Sequence, residues 1–475
     1  MSTQSVKPNY DLVVIGAGAA GLTSAFTARG LGKSVLLVDA ERPGGECTWS
    51  GCMPSKALIN QAKQVKAARQ FASLRLDGAR VMQQVRQVSE QVYSHETPEV
   101  IRSRGVDYIQ AKAEFLAADL LQLAGQQVRA KKVMLCTGSQ PWVPDLPGLD
   151  SVPYLTNETL FQLTDLPDSM LILGAGVIGV EMAQALNRLG VEVHLLDLQA
   201  ELLPREEPEL VAQLQLRLQE EGVKLYLSAQ VQGMRPLPGG RVELMVQQGT
   251  QSLALQGERL LLALGRRPRV AGMGLEALGL LSDGRLQVND YLQTTQANIY
   301  AAGDVIGPYQ LSHMANYQAK RAVFNAFFPW PLRRKLDYQH VCWAIFTDPE
   351  LAHAGLTEAE ARKRHGDQIQ VYHYDLAKLD RAMTKAGDGG LIKLILHPNG
   401  RILGAHILAE RGGDLIAQVQ SLKTLGIKFS RLQAVIHPYP SYADAWRQLS
   451  QQVLLARLQQ QPLVRWFNAL RKPKA

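Results

Sequence analysis

Apolar and polar positions along this chain fall into an order that repeats. Tyr10 to Ile15 is a short β-rich apolar run, and it gives way to the turn Gly16-Ala17-Gly18-Ala19-Ala20-Gly21. A helical pattern follows to Arg29, and a second apolar run, Ser34 to Val38, closes on Asp39. Strand, glycine turn, helix and strand are predicted in that order. The same order returns at Ser169 to Leu173, with the turn Gly174-Ala175-Gly176-Val177-Ile178-Gly179, a helix to Leu189, and a run from Glu192 to Leu196 closing on Asp197. In both copies the acid lies twenty-three positions after the first glycine, so a whole unit is repeated. Between the copies the pattern predicts a long Gln- and Arg-rich helical stretch from Lys56 to about Ser94, then short strands from Gly105 to Val133. Cys136-Thr137-Gly138-Ser139 and a proline-rich linker, Pro141 to Pro153, mark a domain boundary. A further apolar run, Ile299 to Ala302, closes on Gly303-Asp304, and from about Gln339 a new αβ region runs to Ala445.

Each glycine turn sits between a strand and a helix, the context that dinucleotide binding requires. The first glycine permits the tight turn, the second lets the backbone approach a pyrophosphate, and the third lets helix pack on strand, with the helix N-terminus meeting the phosphate charge. Asp39 and Asp197 end their second strands, where a carboxylate accepts hydrogen bonds from a ribose diol.

Between the two units lies Gly44-Gly45-Glu46-Cys47-Thr48-Trp49-Ser50-Gly51-Cys52-Met53-Pro54-Ser55-Lys56, with two cysteines five apart and bracketed by glycines. A bridge over so short a loop opens and closes without dragging distant parts of the fold, which suits a redox-active dithiol beside a flavin; two small buried residues are the plainer alternative. Cys136 and Cys342 each stand alone in apolar surroundings and read as inert.

Length and composition narrow the class. About three domains fit 475 residues, and 46% hydrophobic with 20% charged residues is ordinary for a globular protein. The net charge of +8 is scattered and accompanied by no nucleic-acid-binding motif, so nucleic acid is not an expected partner. The end of the chain differs: Arg457, Arg465, Arg471, Lys472 and Lys474 alternate with Leu454, Leu455, Leu458, Leu463, Val464, Trp466, Phe467 and Leu470. That is a basic amphipathic tail, read either as a helix packed on the protein or as a peripheral contact with the inner face of a membrane. Met1 to Pro8 lack a signal peptide's apolar core, and no run approaches the length of a membrane span. With few cysteines, the expected location is cytoplasmic.

Taken together these residues closely resemble the pyridine nucleotide-disulfide oxidoreductases, the flavoprotein family of dihydrolipoyl dehydrogenase, glutathione reductase and mercuric reductase. The resemblance covers nearly the whole chain. Its carriers are the first glycine motif with Asp39, the Gly-Gly-Glu-Cys to Pro-Ser-Lys segment, Thr137-Gly138-Ser139, the second glycine motif with Glu181, Gly265-Arg266-Arg267-Pro268, Gly303-Asp304 and Thr347-Asp348-Pro349-Glu350. It implies an α/β fold with two Rossmann-like dinucleotide-binding domains, for FAD and NAD, and a C-terminal α+β dimerisation domain. The corresponding segments are 1–155 and 269–338 for FAD, 156–268 for NAD(P), 339–450 for dimerisation, and 451–475 for the tail.

The resemblance also implies roles. Gly16, Gly18, Gly21, Asp39, Thr137, Gly138, Ser139, Gly303 and Asp304 would hold FAD, and Gly174, Gly176, Gly179, Asp197 and Gly265 the nicotinamide nucleotide. Electrons would pass from NAD(P)H through the flavin to a Cys47/Cys52 disulfide, with Cys52 the sulfur nearest the flavin and Cys47 the one that exchanges with substrate. Lys56 would lie near the flavin with Glu181 as its ion-pair partner. A homodimer is implied, and no resident metal. Locally, Asp197 is followed by Leu198 and Gln199 with no arginine at hand for a 2′-phosphate, which favours NADH over NADPH although Arg205 lies further along.

The family's His-Pro-Thr-x-Ser-Glu segment reads here His437-Pro438-Tyr439-Pro440-Ser441-Tyr442-Ala443-Asp444. Matching Pro440-Ser441 to Pro-Thr puts Tyr439 in place of the catalytic histidine and Asp444 in place of the glutamate, as in mercuric reductases; matching His437-Pro438 puts Tyr442 in place of the glutamate. The first register keeps the acid and is favoured. Tyrosine is a poor base near neutral pH, so ordinary lipoamide or glutathione chemistry is doubtful. After Cys342 there is no cysteine, so the C-terminal cysteine pair of mercuric reductases is lacking. The expected activity is electron transfer from NADH through FAD and the dithiol to a disulfide, metal or quinone acceptor. The alternatives are a true dihydrolipoyl dehydrogenase using His437 and a membrane-associated flavin-bound electron-transfer or docking module whose dithiol is dispensable.

Overall fold

The computed structural model describes residues 7–385 and 389–462. The chain forms two compact units, one from the chain up to Ala200 together with Val223–Asp337, the other from Glu201–Gly222 together with the chain from Tyr338 onward.

In the first unit, β1 (Lys7–Ile15), α1 (Ala19–Gly30) and β2 (Val35–Asp39) form the expected strand, helix and strand. They are followed by α2 (Gly45–Trp49), α3 (Cys52–Arg69) and α4 (Gly78–Tyr93). The strands β3 (Asp107–Gln110), β4 (Ala113–Ala117), β5 (Leu120–Leu123) and β6 (Gln126–Leu135) complete a sheet of order β3-β2-β1-β6-β5-β4. Strand β1 runs parallel to β2 and β6. Its Leu12 and Val14 pack into one core and its Val13 and Ile15 into another. A strand covered on both faces has no solvated side, which is why the run is continuously apolar.

The second repeat builds β7 (Ser169–Leu173), α5 (Val177–Arg188) and β8 (Glu192–Leu196), extended by β9 (Lys224–Tyr226) and β10 (Arg259–Leu262) into a parallel sheet of order β9-β8-β7-β10. The apolar run before Gly303 is β11 (Ile299–Ala301), parallel to β6, and it leads to α6 (Ser312–Phe327).

The helical stretch expected from Lys56 to Ser94 is two helices. The chain breaks over residues 70–77, and Asp77 starts α4 by accepting from the Arg80 backbone N–H at 3.0 Å. An N-cap of this kind satisfies donors that a continuous helix would not have exposed.

The second unit is an antiparallel sheet of β12 (Cys342–Ile345), β13 (Glu350–Gly355), β14 (Gln370–Asp375), β15 (Leu391–Leu396) and β16 (Ile402–Ala409), in the order β12-β13-β16-β15-β14. Strand alternation divides its faces. On one face Ala352, Ala354, Ile392, Leu394, Ala405 and Ile407 pack with α7 (Gly412–Thr424) and α8 (Asp444–Gln460), whose Trp446, Leu449 and Val453 are fully buried. On the other face the register sets Trp343 beside His353, His353 beside His406, His406 beside Lys393, and Lys393 beside His373. This row of donors is met by the Glu201–Gly222 segment. Glu206 accepts from the Trp343 indole at 2.7 Å and lies 3.0 Å from His353 Nδ1. Glu207 and Glu209 accept from Lys393 at 2.8 and 2.5 Å, and Glu209 also lies 3.0 Å from His373 Nε2.

The tail therefore begins as α8, anchored in the core. Leu463, Val464, Arg465, Trp466, Phe467, Leu470, Arg471, Lys472 and Lys474 lie outside the described residues. Among the described residues no helix is long and apolar enough to cross a membrane.

Candidate active site

The two glycine turns have the same backbone. Gly16 has φ +102° and Gly174 φ +107°, in the left-handed region that suits glycine. A Cβ on Gly21 would lie 1.7 Å from the Gly16 carbonyl oxygen, and one on Gly179 would lie 1.8 Å from that of Gly174. Gly18 and Gly176 begin their helices with no side chain in the way. Asp39 accepts from the Ala17 and Glu41 backbone N–H groups at 2.5 and 2.8 Å; Asp197 accepts from those of Ala175 and Gln199 at 2.6 and 2.8 Å. Each carboxylate is thus aimed across the mouth of its turn with lone pairs to spare. Burial raises the Asp39 carboxyl above its usual range, against the pull of those N–H donors.

The remaining residues expected around FAD lie in the same unit. Ser139 Oγ donates to Asp304 at 2.8 Å, Thr137 donates to the Arg269 carbonyl at 2.6 Å, and the Gly303 N–H donates to Gln318 at 2.7 Å. Gly138 has φ +71°, and Gly265, expected at the nicotinamide nucleotide, has φ +110°. Burial raises the Asp304 carboxyl, with Ser139 and Arg266 opposing. A buried carboxylate facing a glycine-lined cradle, with a second acid at the strand end, fits a dinucleotide carrying a polyol chain, and FAD fits here. The twin cradle around Gly174, Gly176 and Gly179 fits a second dinucleotide.

Helix α2 carries Cys47, and Cys52 is the first residue of the eighteen-residue α3. Helix N-termini favour anions, so this placement helps a thiolate at Cys52. Both cysteines are half-buried. The Cys47 thiol is hydrogen-bonded to the Cys52 sulfur, and the Cys52 sulfur lies 3.3 Å from Ser312 Oγ at the start of α6. Cys52 is pulled down to about 6, first by the Cys47 hydrogen bond, then, against burial, by Ser312 and the Lys56 charge. Cys47 is pushed up, because its proton is held by Cys52 and the thiol is buried.

Lys56 stands one turn along α3 from Cys52, and its Nζ donates to Glu181 of α5 at 2.8 Å; the Glu181 side chain is 4% exposed. Glu46 pairs with Arg266, whose side chain also donates to Ser139 Oγ at 2.8 Å and to Asn157 at 3.3 Å. A polar chain therefore joins the residue before Cys47 to Asp304. Sequence reading missed Ser312, Asn157 and the Glu46 to Arg266 pairing. Their partners lie far off in the chain, and nothing local to Ser312 marks it out among the polar residues of its helix.

Tyr439 and Asp444 each hydrogen-bond to another residue, and the Asp444 charge acts on the Tyr439 phenol. Tyr439 is exposed and donates to Asp380 at 2.6 Å, a bond that raises its phenol above the usual range. Asp444 is buried and accepts from Arg447 at 2.5 Å and Gln448 at 3.0 Å; the Arg447 hydrogen bond keeps its carboxyl below the usual range. His437 is half-buried, with the Gln418 amide 2.9 Å from its Nε2. Tyr442 donates to Glu410 at 2.8 Å. Cys136 is buried, with burial raising its thiol, while Cys342 is half-buried and raised for the same reason.

The sequence matches the family described as pyridine nucleotide-disulphide oxidoreductase over residues 10–319, and the dimerisation domain of the same family over residues 341–450. A mercuric reductase of Streptomyces lividans is 33% identical over 459 residues, covering 93% of this chain and 96% of that protein. A dihydrolipoyl dehydrogenase of Thermus scotoductus is 32% identical over 450 residues, covering 92% of this chain and 95% of that protein. Among solved structures, a Cu(II) complex of the HOCl-induced flavoprotein disulfide reductase RclA from Escherichia coli superposes with a TM-score of 0.85 at 28% identity, covering 94% of this chain and all of that one.

Proposed function

Because this chain belongs to the pyridine nucleotide-disulphide oxidoreductase family, and is a flavoprotein oxidoreductase using FAD with NAD(P)H as donor, we propose that Cys47 and Cys52 are its redox-active pair and pass electrons to a thiophilic metal ion or a quinone. The observation that carries this reading is the placement of Cys52 at the first residue of α3, just after Cys47 on α2, with Ser312 Oγ 3.3 Å from its sulfur and the Lys56–Glu181 pair one turn along. The cradle of Gly16, Gly18 and Gly21 with Asp39 and Asp304 would hold FAD, which would supply hydride-accepting chemistry and the electron pair that reduces the Cys47/Cys52 disulfide.

The protein residues account for the proton. Reducing the disulfide takes two electrons and one proton; the S–S bond breaks, Cys47 keeps the proton as a thiol, and Cys52 leaves as thiolate. Lys56 places a positive charge one turn from that thiolate, and Glu181 holds Lys56 in place. On handing two electrons to a divalent metal ion, the pair closes again to the disulfide and releases the Cys47 proton. A quinone takes that proton and one more from solvent. Neither acceptor needs a neutral-pH acid at position 439, where the phenol is tied to Asp380. The metal is substrate here.

NADH is the preferred donor in this reading, because the Asp197 carboxylate and the uncharged Leu198 and Gln199 occupy the end of β8, where a 2′-phosphate would need a cation. The second matched segment, a dimerisation domain, supports a homodimer.

The test is anaerobic reduction of the holoenzyme with NADH, followed by Hg(II), Cu(II), quinones, lipoamide and glutathione disulfide. The expected result is a bleached flavin, two new titratable thiols, NADH preferred at least tenfold in kcat/KM, and turnover highest with a metal ion or quinone. Full turnover in the Cys47→Ser and Cys52→Ser variants would overturn it. The Gln418 amide 2.9 Å from His437 Nε2 favours dihydrolipoyl dehydrogenase as the second reading. Rapid dihydrolipoamide oxidation that is lost in His437→Ala would select it.

A further inference from the structure

Ser312 opens α6, but the residue in the N-cap position is Leu311, and the helix start has no side-chain cap. Among the described residues the Ser312 hydroxyl makes its hydrogen bonds with sulfur: it lies 3.3 Å from Cys52 Sγ and within reach of Cys47 as well. A serine at a helix start commonly spends its hydroxyl on the backbone. This one is turned onto the dithiol, 260 residues away in sequence. A hydroxyl beside a thiolate can only donate, since the thiolate carries no proton.

We propose that Ser312 is a catalytic hydroxyl that donates to the Cys52 thiolate in the reduced state, raises the reduction potential of the Cys47/Cys52 pair, and thereby directs the enzyme toward acceptors of high potential. The proposal rests on the reading of Cys47 and Cys52 as the redox pair. In the disulfide no sulfur carries charge, so the hydrogen bond is weak; on reduction it becomes charge-assisted, and Ser312 keeps its own proton throughout. Stabilising the reduced form alone makes a pair more oxidising. The pair then accepts electrons readily and returns them with little driving force to low-potential disulfides. Metal ions and quinones remain downhill. Ser312 adds to Lys56 and the N-terminus of α3 a third support for one charge.

The experiment uses phosphine-reduced holoenzyme, so that it does not depend on NADH. The rate of iodoacetamide alkylation at Cys52, located by peptide fragmentation, is followed against pH, and the dithiol–disulfide equilibrium is measured against a dithiol buffer. In the unaltered protein alkylation should fall as pH drops through about 6. In Ser312→Ala the half-point should rise by about one pH unit and the equilibrium constant for reduction should fall about tenfold, about 30 mV for two electrons. Ser312→Thr should restore both. An alanine variant with unmoved half-point and equilibrium, or a threonine variant that behaves as alanine, overturns the role of Ser312. If NADH produces no thiols in the unaltered holoenzyme, the redox reading falls, while the alkylation profile still decides what Ser312 does to the sulfur.

Discussion

Glu46 precedes the first cysteine, and burial lifts its carboxyl to about 7 although the Arg266 guanidinium touches it. A carboxyl raised on folding binds its proton more tightly in the native state, so stability falls as pH rises from about 4.5 toward 7 and is level above that. Glu46→Gln should flatten this slope, read as the urea midpoint of the holoenzyme between pH 5 and pH 8. A slope as steep as in the unaltered protein would show that other groups carry it. Residue roles were legible in the sequence where spacing is local: Lys56 follows Cys52 by one turn of α3, so the two share a face. Roles that depend on a distant partner were not. Glu46 meets Arg266 across 220 residues, and neither residue announces the other.

At the scale of elements, both strand, turn and helix units were readable because one constraint fixes composition: an oxygen 1.7 to 1.8 Å from a would-be Cβ admits only glycine at positions 21 and 179. The equivalence makes separable losses expected. Gly21→Ala should release FAD on gel filtration, while Gly179→Ala should retain FAD and raise the KM for NADH at least tenfold. Loss of flavin from both variants would refute the assignment of one cradle to each nucleotide. The helical stretch after Lys56 was misread as continuous because Gln and Arg are helix formers on either side of the break. Only Asp77 signals the restart, and a lone aspartate before glycine reads equally well as a turn.

For the whole molecule, two sheets and a C-terminal domain could be anticipated, but the attachment of Glu201–Gly222 to the second unit could not. The donors it meets are scattered singly over five strands and become a row only through register. Lys393, 3% exposed and touching Glu207, Glu209 and Glu358, looks in sequence like a charge interrupting an apolar strand. Lys393→Met would take the ammonium away from three carboxylates, of which Glu207 is fully buried, and should cost about 3 kcal/mol, measured by denaturant unfolding. A loss below about 1 kcal/mol would mean that those carboxylates find solvent. The same row bears on synthesis. The chain leaves its second parallel sheet at Leu196, contributes Glu201–Gly222 to the other unit, and returns at Lys224. On the ribosome Glu206 and Glu207 emerge well before Trp343, His353, Lys393 and His406 exist to receive them. A nascent chain paused before Tyr338 carries acids whose burial site has not yet been translated, so the Glu201–Gly222 segment is made well before the sheet that receives it.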